Sequence, residues 1–168
     1  SFFKAGGSAS RFVPVGKSNT LAFNVQGGSG FGPMPQFAAY RLGGWNGIRG
    51  YRAFSDLGTG TGLLMASAEF RMKLPLPKQS PGSIAGNLVN GITKNVRAVA
   101  FADGGATAGN GLINRFYQRG TMGASVGVGL RMNLPYVGLV RLDYGLPLIS
   151  TALGRLTPRV SIGFGDKF

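Results

Sequence analysis

Apolar and polar residues take turns along much of this chain. The clearest run spans 64–73, where Leu64, Ala66, Ala68, Phe70 and Met72 alternate with Met65, Ser67, Glu69, Arg71 and Lys73. A period of two sends successive side chains to opposite faces of a strand, so this strand has one greasy face and one charged face. From Thr121 to Leu134 the even positions read Met122, Ala124, Val126, Val128, Leu130, Met132 and Leu134, and the odd ones Thr121, Gly123, Ser125, Gly127, Gly129, Arg131 and Asn133. The design recurs in Val140, Leu142, Tyr144 and Leu146 against Leu139, Arg141, Asp143 and Gly145. It recurs again in Val160, Ile162 and Phe164 against Arg159, Ser161, Gly163 and Gly165. Segments at about 21–26, 96–103 and 3–13 bring the count to about seven strands, although Val99 and Phe101 blur the alternation of the second. A short turn is predicted at 134–137 and longer loops at 32–60 and 105–120.

A soluble β-sandwich also alternates, so the period does not choose the solvent. Strand length, the alternation of short and long connections, and apolar faces that run the whole length of each strand do. A tilted membrane strand needs about 9–11 residues, and membrane barrels carry short turns at one end and long loops at the other. The predicted fold is therefore all-β, an antiparallel transmembrane β-barrel. Unpaired strand edges are not tolerated in hydrocarbon, so about seven strands require something more to close the ring: further strands or another barrel subunit.

Composition narrows the chemistry. No stretch approaches the roughly 20 apolar residues of a membrane-spanning helix. The absence of cysteine and histidine removes thiolate nucleophiles, most zinc sites and the usual general base, so neither an enzyme nor a cofactor or metal is expected. The only acids are Asp56, Glu69, Asp103, Asp143 and Asp166, against 18 Lys and Arg. A net charge of +13 would suit nucleic acid, but the basic residues are spread singly, so no nucleic-acid partner is predicted. Parity instead places Arg71, Lys73, Arg97, Arg131, Arg141 and Arg159 on the inner face, a positive lumen that favours anionic solutes. Charge on the lipid face would cost about 2–4 kcal/mol per Arg or Lys at the midplane. Phe12, Phe37, Trp45, Tyr136 and Tyr144 are candidates for interfacial aromatic girdles.

The segment Arg41-Leu42-Gly43-Gly44-Trp45-Asn46-Gly47-Ile48-Arg49-Gly50-Tyr51 resembles the LGG…(V/I)RGY signature of the BamA/TamA-type barrel superfamily, the bacterial surface antigen family. Order strengthens the likeness. Ala66–Arg71, Val99–Gly105, Gly127–Arg131, Val140–Gly145 and the closing Gly163-Phe164-Gly165-Asp166-Lys167-Phe168 follow that family's C-terminal strands in sequence. The glycine-rich close with a terminal aromatic is most similar to the cyanobacterial and plastid branch. Asp166 departs from the family's terminal signal, which has an apolar residue at that position.

The resemblance implies that residues 1–168 are the C-terminal part of a barrel of roughly sixteen strands, with the N-terminal strands and POTRA domains outside the chain. A shortened paralogue, or a piece closed by another copy, would fit as well. It further implies that the 32–60 loop folds into the lumen through Gly43, Gly44, Ile48, Arg49, Gly50 and Tyr51, with Arg49 meeting acids on the inner wall. Parity nominates Asp143 and Glu69, and less clearly Asp103, as those acids. On this reading Arg71 and Arg131, outside the motif, tolerate substitution. Gly163, Phe164 and Phe168 would form the C-terminal assembly signal. The implied function is insertion, assembly or translocation of proteins at an outer membrane, Gram-negative, cyanobacterial or plastid, with lipid, client polypeptides and the rest of the barrel as partners. A small passive pore or structural barrel, and a soluble basic β domain binding nucleic acid, remain the alternatives.

Overall fold

A computed structural model describes residues 1–44, 46–52, 57–74, 96–109, 122–134, 137–149 and 156–168. Seven strands form one antiparallel sheet: β1 (Phe3–Val15), β2 (Asn19–Phe31), β5 (Gly62–Lys73), β6 (Arg97–Ala108), β7 (Met122–Leu134), β8 (Gly138–Pro147) and β9 (Arg159–Phe164). They lie side by side in chain order. Between β2 and β5, the connecting segment folds a two-residue ribbon of its own, β3 (Tyr40–Arg41) against β4 (Thr59–Gly60). The sheet is open, with β1 and β9 as its edges. No helix among the described residues is long and apolar enough to cross a membrane, which leaves crossing by strands untouched.

Burial follows the predicted parity, with the usual sense inverted. On one face Val128, Val160, Ile162 and Phe164 lie open, each about 60 % exposed. On the other, Glu69, Asp103, Arg131, Arg141 and Asp143 are buried. A soluble sandwich covers its apolar face with a second sheet; here the covered face is the charged one. A sheet that hides its ions and shows its aliphatics is built for a lipid surround.

Several boundaries shift from the predicted ones. β2 runs on through Gly27, Gly28 and Ser29, which stay in register with both β1 and β5, and through Gly30, which pairs with β1; the Tyr40 hydroxyl packs where a Cβ of Gly28 would lie. β6 likewise continues past Gly104 and Gly105 to Ala108, so the loop placed at 105–120 starts later. Gly105 lies under the Leu42 side chain, and the glycine there serves close approach rather than a turn. Short and long connections do not alternate throughout, because β5 and β6 are joined by 74–96 at the end of the sheet that otherwise carries the turn 16–18 and the short connection from β7 to β8. Pro135, Tyr136 and residues 110–121 lie outside the described residues.

Candidate functional site

The segment 32–61 does turn onto the concave face. Its anchor is apolar: Leu42, Ile48, Tyr51 and Leu57 from the loop pack with Met65 of β5 in a buried cluster. Burying each such side chain is worth about 1.5–3 kcal/mol. A tight turn holds the motif, with the Ile48 N–H donating to the Leu42 carbonyl (2.6 Å) and the Gly44 N–H to the Tyr51 carbonyl (3.1 Å), while Gly43 bridges to Ile48. Gly50 has φ +90° and meets Gly145 of β8, where a Cβ on either residue would come within 3.0 Å of the other's backbone. The two glycines let loop and wall touch backbone to backbone. Beyond them the Tyr51 hydroxyl reaches the carbonyls of Ile149 (2.7 Å) and Ala124 (2.9 Å) and accepts from the Ile149 N–H (3.2 Å).

Arg49 is wholly enclosed. Its Nε and Nη2 donate to the two carboxylate oxygens of Asp103 at 2.7 and 2.8 Å, its backbone N–H donates to the same group at 3.1 Å, and Nη1 donates to Glu69. The guanidinium carbon sits 3.5 Å from the centroid of the Phe101 ring, a desolvated cation–π contact. Burial works against the charge, but the Asp103 bond and the fields of Asp103, Glu69 and Asp143 outweigh it, so the guanidinium is held more firmly protonated than in water.

The blurred alternation of β6 now has its cause. Val99 and Phe101 face inward with Arg97 and Asp103, and the even positions Ala98, Ala100 and Ala102 face out. Phe101 is the plate on which Arg49 lies. Across the sheet, Gly127 and Gly129 leave room for it and for Asp143: a Cβ would come within 2.4 Å of the Phe101 ring and 2.2 Å of Asp143 Oδ1.

All three nominated acids converge, in a different order of importance. Asp103 and Glu69 carry the hydrogen bonds to Arg49, whereas Asp143 stands 3.8 Å from its Nη1 and is bonded to Arg131 at 2.6 Å. Arg131 also donates to Glu69 (2.8 Å), and Arg71 donates to Glu69 (2.9 Å). Neither is a bystander, which corrects the expectation that both tolerate substitution; position outside a motif says nothing about who shares an acid across the sheet.

The C-terminal residues behave differently from strand residues. Gly163 is buried opposite Arg141 and Phe164 faces outward, but at Gly165 (φ +77°) the chain leaves the sheet for the concave face. There Asp166 takes both Nη groups of Arg71 (3.0 and 2.8 Å), Lys167 pairs with Asp103 (3.0 Å), and Phe168 meets Phe12 edge-on at 6.4 Å. The polar residue at 166, a departure from the family's terminal signal, is thus an ion-pair partner. Phe12 faces the lumen with Arg71 near its ring, not an interfacial girdle. Phe37 lies exposed in a short turn, Tyr144 faces outward on β8, and Trp45 is outside the described residues, as is Asp56. Nothing in the local pattern flagged Lys167 or Asp166, since neither lies on an alternating strand.

An open antiparallel sheet with an aliphatic convex face, a buried ionic concave face and a loop pinned into the concavity is a section of a transmembrane β-barrel wall. The chain belongs to the Omp85 superfamily: the model of the Omp85 superfamily domain matches residues 1–168. Among solved structures it is similar to BamA from Haemophilus ducreyi lacking POTRA domains 1–3, with TM-score 0.67 and 17 % identity over 96 % of this chain and 35 % of that one. It is also similar to CdiB from Acinetobacter baumannii, with TM-score 0.66 and 14 % identity over 96 % of this chain and 26 % of that one. The chain thus spans about a third or less of the structures it matches. No curated protein sequence matched it.

Proposed function

We propose that this chain forms the C-terminal wall of an outer-membrane barrel that inserts or translocates polypeptides, and that its work is mechanical rather than covalent. The observation that carries the reading is the docked motif: Arg49 clamped bidentately by Asp103 and held by Glu69, in a chain matched from end to end by the Omp85 family model. Such a clamp ties a long loop to several strands at once and fixes the curvature of the wall. The strand edge that wall leaves free is where an extended client can add by main-chain pairing. Within the family, the glycine-rich closing strand favours the cyanobacterial and plastid branch.

Site-specific crosslinking in the cysteine-free chain tests this. Val160→Cys or Ile162→Cys on β9 of the full-length protein in proteoliposomes should capture an unfolded outer-membrane polypeptide during its insertion. A passive pore instead predicts steady conductance with no client adduct at either position.

A further inference from the structure

The charges of the concave face are not uniform. Four cations, Arg49, Arg71, Arg131 and Lys167, interlock with the four described carboxylates, Glu69, Asp103, Asp143 and Asp166. None of these pairs involves Lys73 or Arg97. Those two belong to a single rung of the sheet in which Lys73 stands opposite Arg97, Arg97 opposite Arg131, and Arg131 opposite Arg141. Like charges directly opposite each other across strands are unfavourable, and here they repeat over four neighbouring strands. Beside the rung lies a cavity of about 390 Å³ lined by Arg71, Arg97, Arg131, Asn133, Leu139 and Asp166. Three guanidiniums face one carboxylate, and that carboxylate is engaged by Arg71. Arg131 is 4 % exposed, and its Nε–H has no acceptor among the described residues.

We propose that the Lys73, Arg97 and Arg131 part of this rung is a binding site for a phosphate group, next to the tip of the docked loop, where Arg141 at the far end of the rung donates to Asn46 (3.1 Å). The planar forks of Arg97 and Arg131 suit the paired oxygens of a phosphate, and the Asn133 amide is a further donor at the same cavity. Lys73 adds a flexible ammonium from the next strand. The cavity is large enough for a phosphate carrying an organic substituent, so the group arrives either free in solution or as a lipid headgroup. Two of the three connections at this end, β1 to β2 and β7 to β8, are short, as at the periplasmic end of outer-membrane barrels, and on that correspondence the site faces the periplasm. Its basis is the geometry of the rung, independent of what polypeptide work the barrel does.

The test is calorimetric titration of the full-length protein in maltoside micelles, free of phosphate, with inorganic phosphate and with dihexanoyl phosphatidylglycerol. Saturable binding is expected, weakened at least fivefold by Arg97→Gln and less by Lys73→Gln, unchanged by Lys17→Gln, and weakening as salt rises. Tighter binding of the phosphatidylglycerol identifies a headgroup site, and equal or weaker binding a site for the free anion. Heat-modifiable gel migration checks that each variant is folded, and Lys73→Gln carries the test if Arg97→Gln is not. No saturable binding of either probe, or an affinity untouched by both rung variants, overturns the proposal.

Discussion

Arg49→Ala is the perturbation with the largest expected consequence. It removes two charged hydrogen bonds to Asp103 and one to Glu69, each worth about 1.5–3 kcal/mol, and a cation–π contact with Phe101. The sum overstates the loss, because enclosing the guanidinium is itself costly. The acids also keep other partners, Lys167 for Asp103 and Arg71 and Arg131 for Glu69. Stripping one partner from a buried pair costs about 3–5 kcal/mol; with that residual compensation we expect the lower end, about 3 kcal/mol. Every 1.4 kcal/mol is tenfold, so the loop should undock about a hundredfold more often. Arg49→Lys keeps the charge without the fork and should recover about half of the free energy. Limited proteolysis within 32–61 and heat-modifiable gel migration report the two consequences. Arg97→Ala, on the same face but outside the interlocked cluster, is the control. Equal behaviour of Arg49→Ala and Arg97→Ala in both assays would refute the clamp.

The remaining sites give predictions of graded size. Gly145→Ala places a Cβ 2.7 Å from the Gly50 nitrogen, so it should reproduce the Arg49→Ala proteolysis pattern with the ionic residues intact; wild-type protection would show that loop and wall do not touch there. Tyr51→Phe deprives the carbonyls of Ile149 and Ala124 of a shared donor and should destabilise by about 1 kcal/mol in urea-unfolding measurements, where no change would argue against the contact. Arg131→Ala should be more harmful than Arg97→Ala, by roughly 2 kcal/mol, because Asp143 then loses its hydrogen-bonded cation; thermal shift assays compare them directly. Burial, with the Arg49 charge, brings the Lys167 ammonium down to about 8 against the pull of Asp103. The unfolded chain keeps that proton up to about 10.5 and the folded one releases it near 8. Stability relative to Lys167→Met should therefore be flat below pH 8 and rise between pH 8 and 10.5, and a fall over that window would contradict the burial of Lys167.

What could be read from the residues in order was whatever alternates. β5, β7, β8 and β9 are legible because their outward residues are apolar and their inward ones are mostly charged, polar or glycine, so nearly every position votes for the same face, with Met65 and Leu139 the inward apolar exceptions. β6 is harder because Val99 and Phe101 face inward to a partner that is far away in sequence; Phe101 looks misplaced until Arg49 is laid on it. The Gly27–Gly30 stretch has only the Ser29 side chain and so nothing to alternate, and pairing with the neighbouring strands reveals it as strand. Arg49 and its three acids were legible together only through the resemblance combined with parity. Parity chooses a face but not a distance along it, and so it could not rank Asp103 above Asp143. The inward turn of Asp166, Lys167 and Phe168 has no local signature beyond Gly165.

The central claim is that the motif loop is docked on the concave wall. Ile48 and Gly123 offer the most direct test, because a Cβ at 123 would lie 3.1 Å from Ile48 Cδ1 and neither residue belongs to the ionic cluster. In a chain without other cysteines, Ile48→Cys with Gly123→Cys should be joined in intact membranes by oxidation or by a short bifunctional thiol reagent, giving a shifted band on a denaturing gel. Docking predicts efficient joining that is lost when Arg49→Ala is added. No crosslink in the otherwise wild-type background, or one indifferent to Arg49, would contradict it.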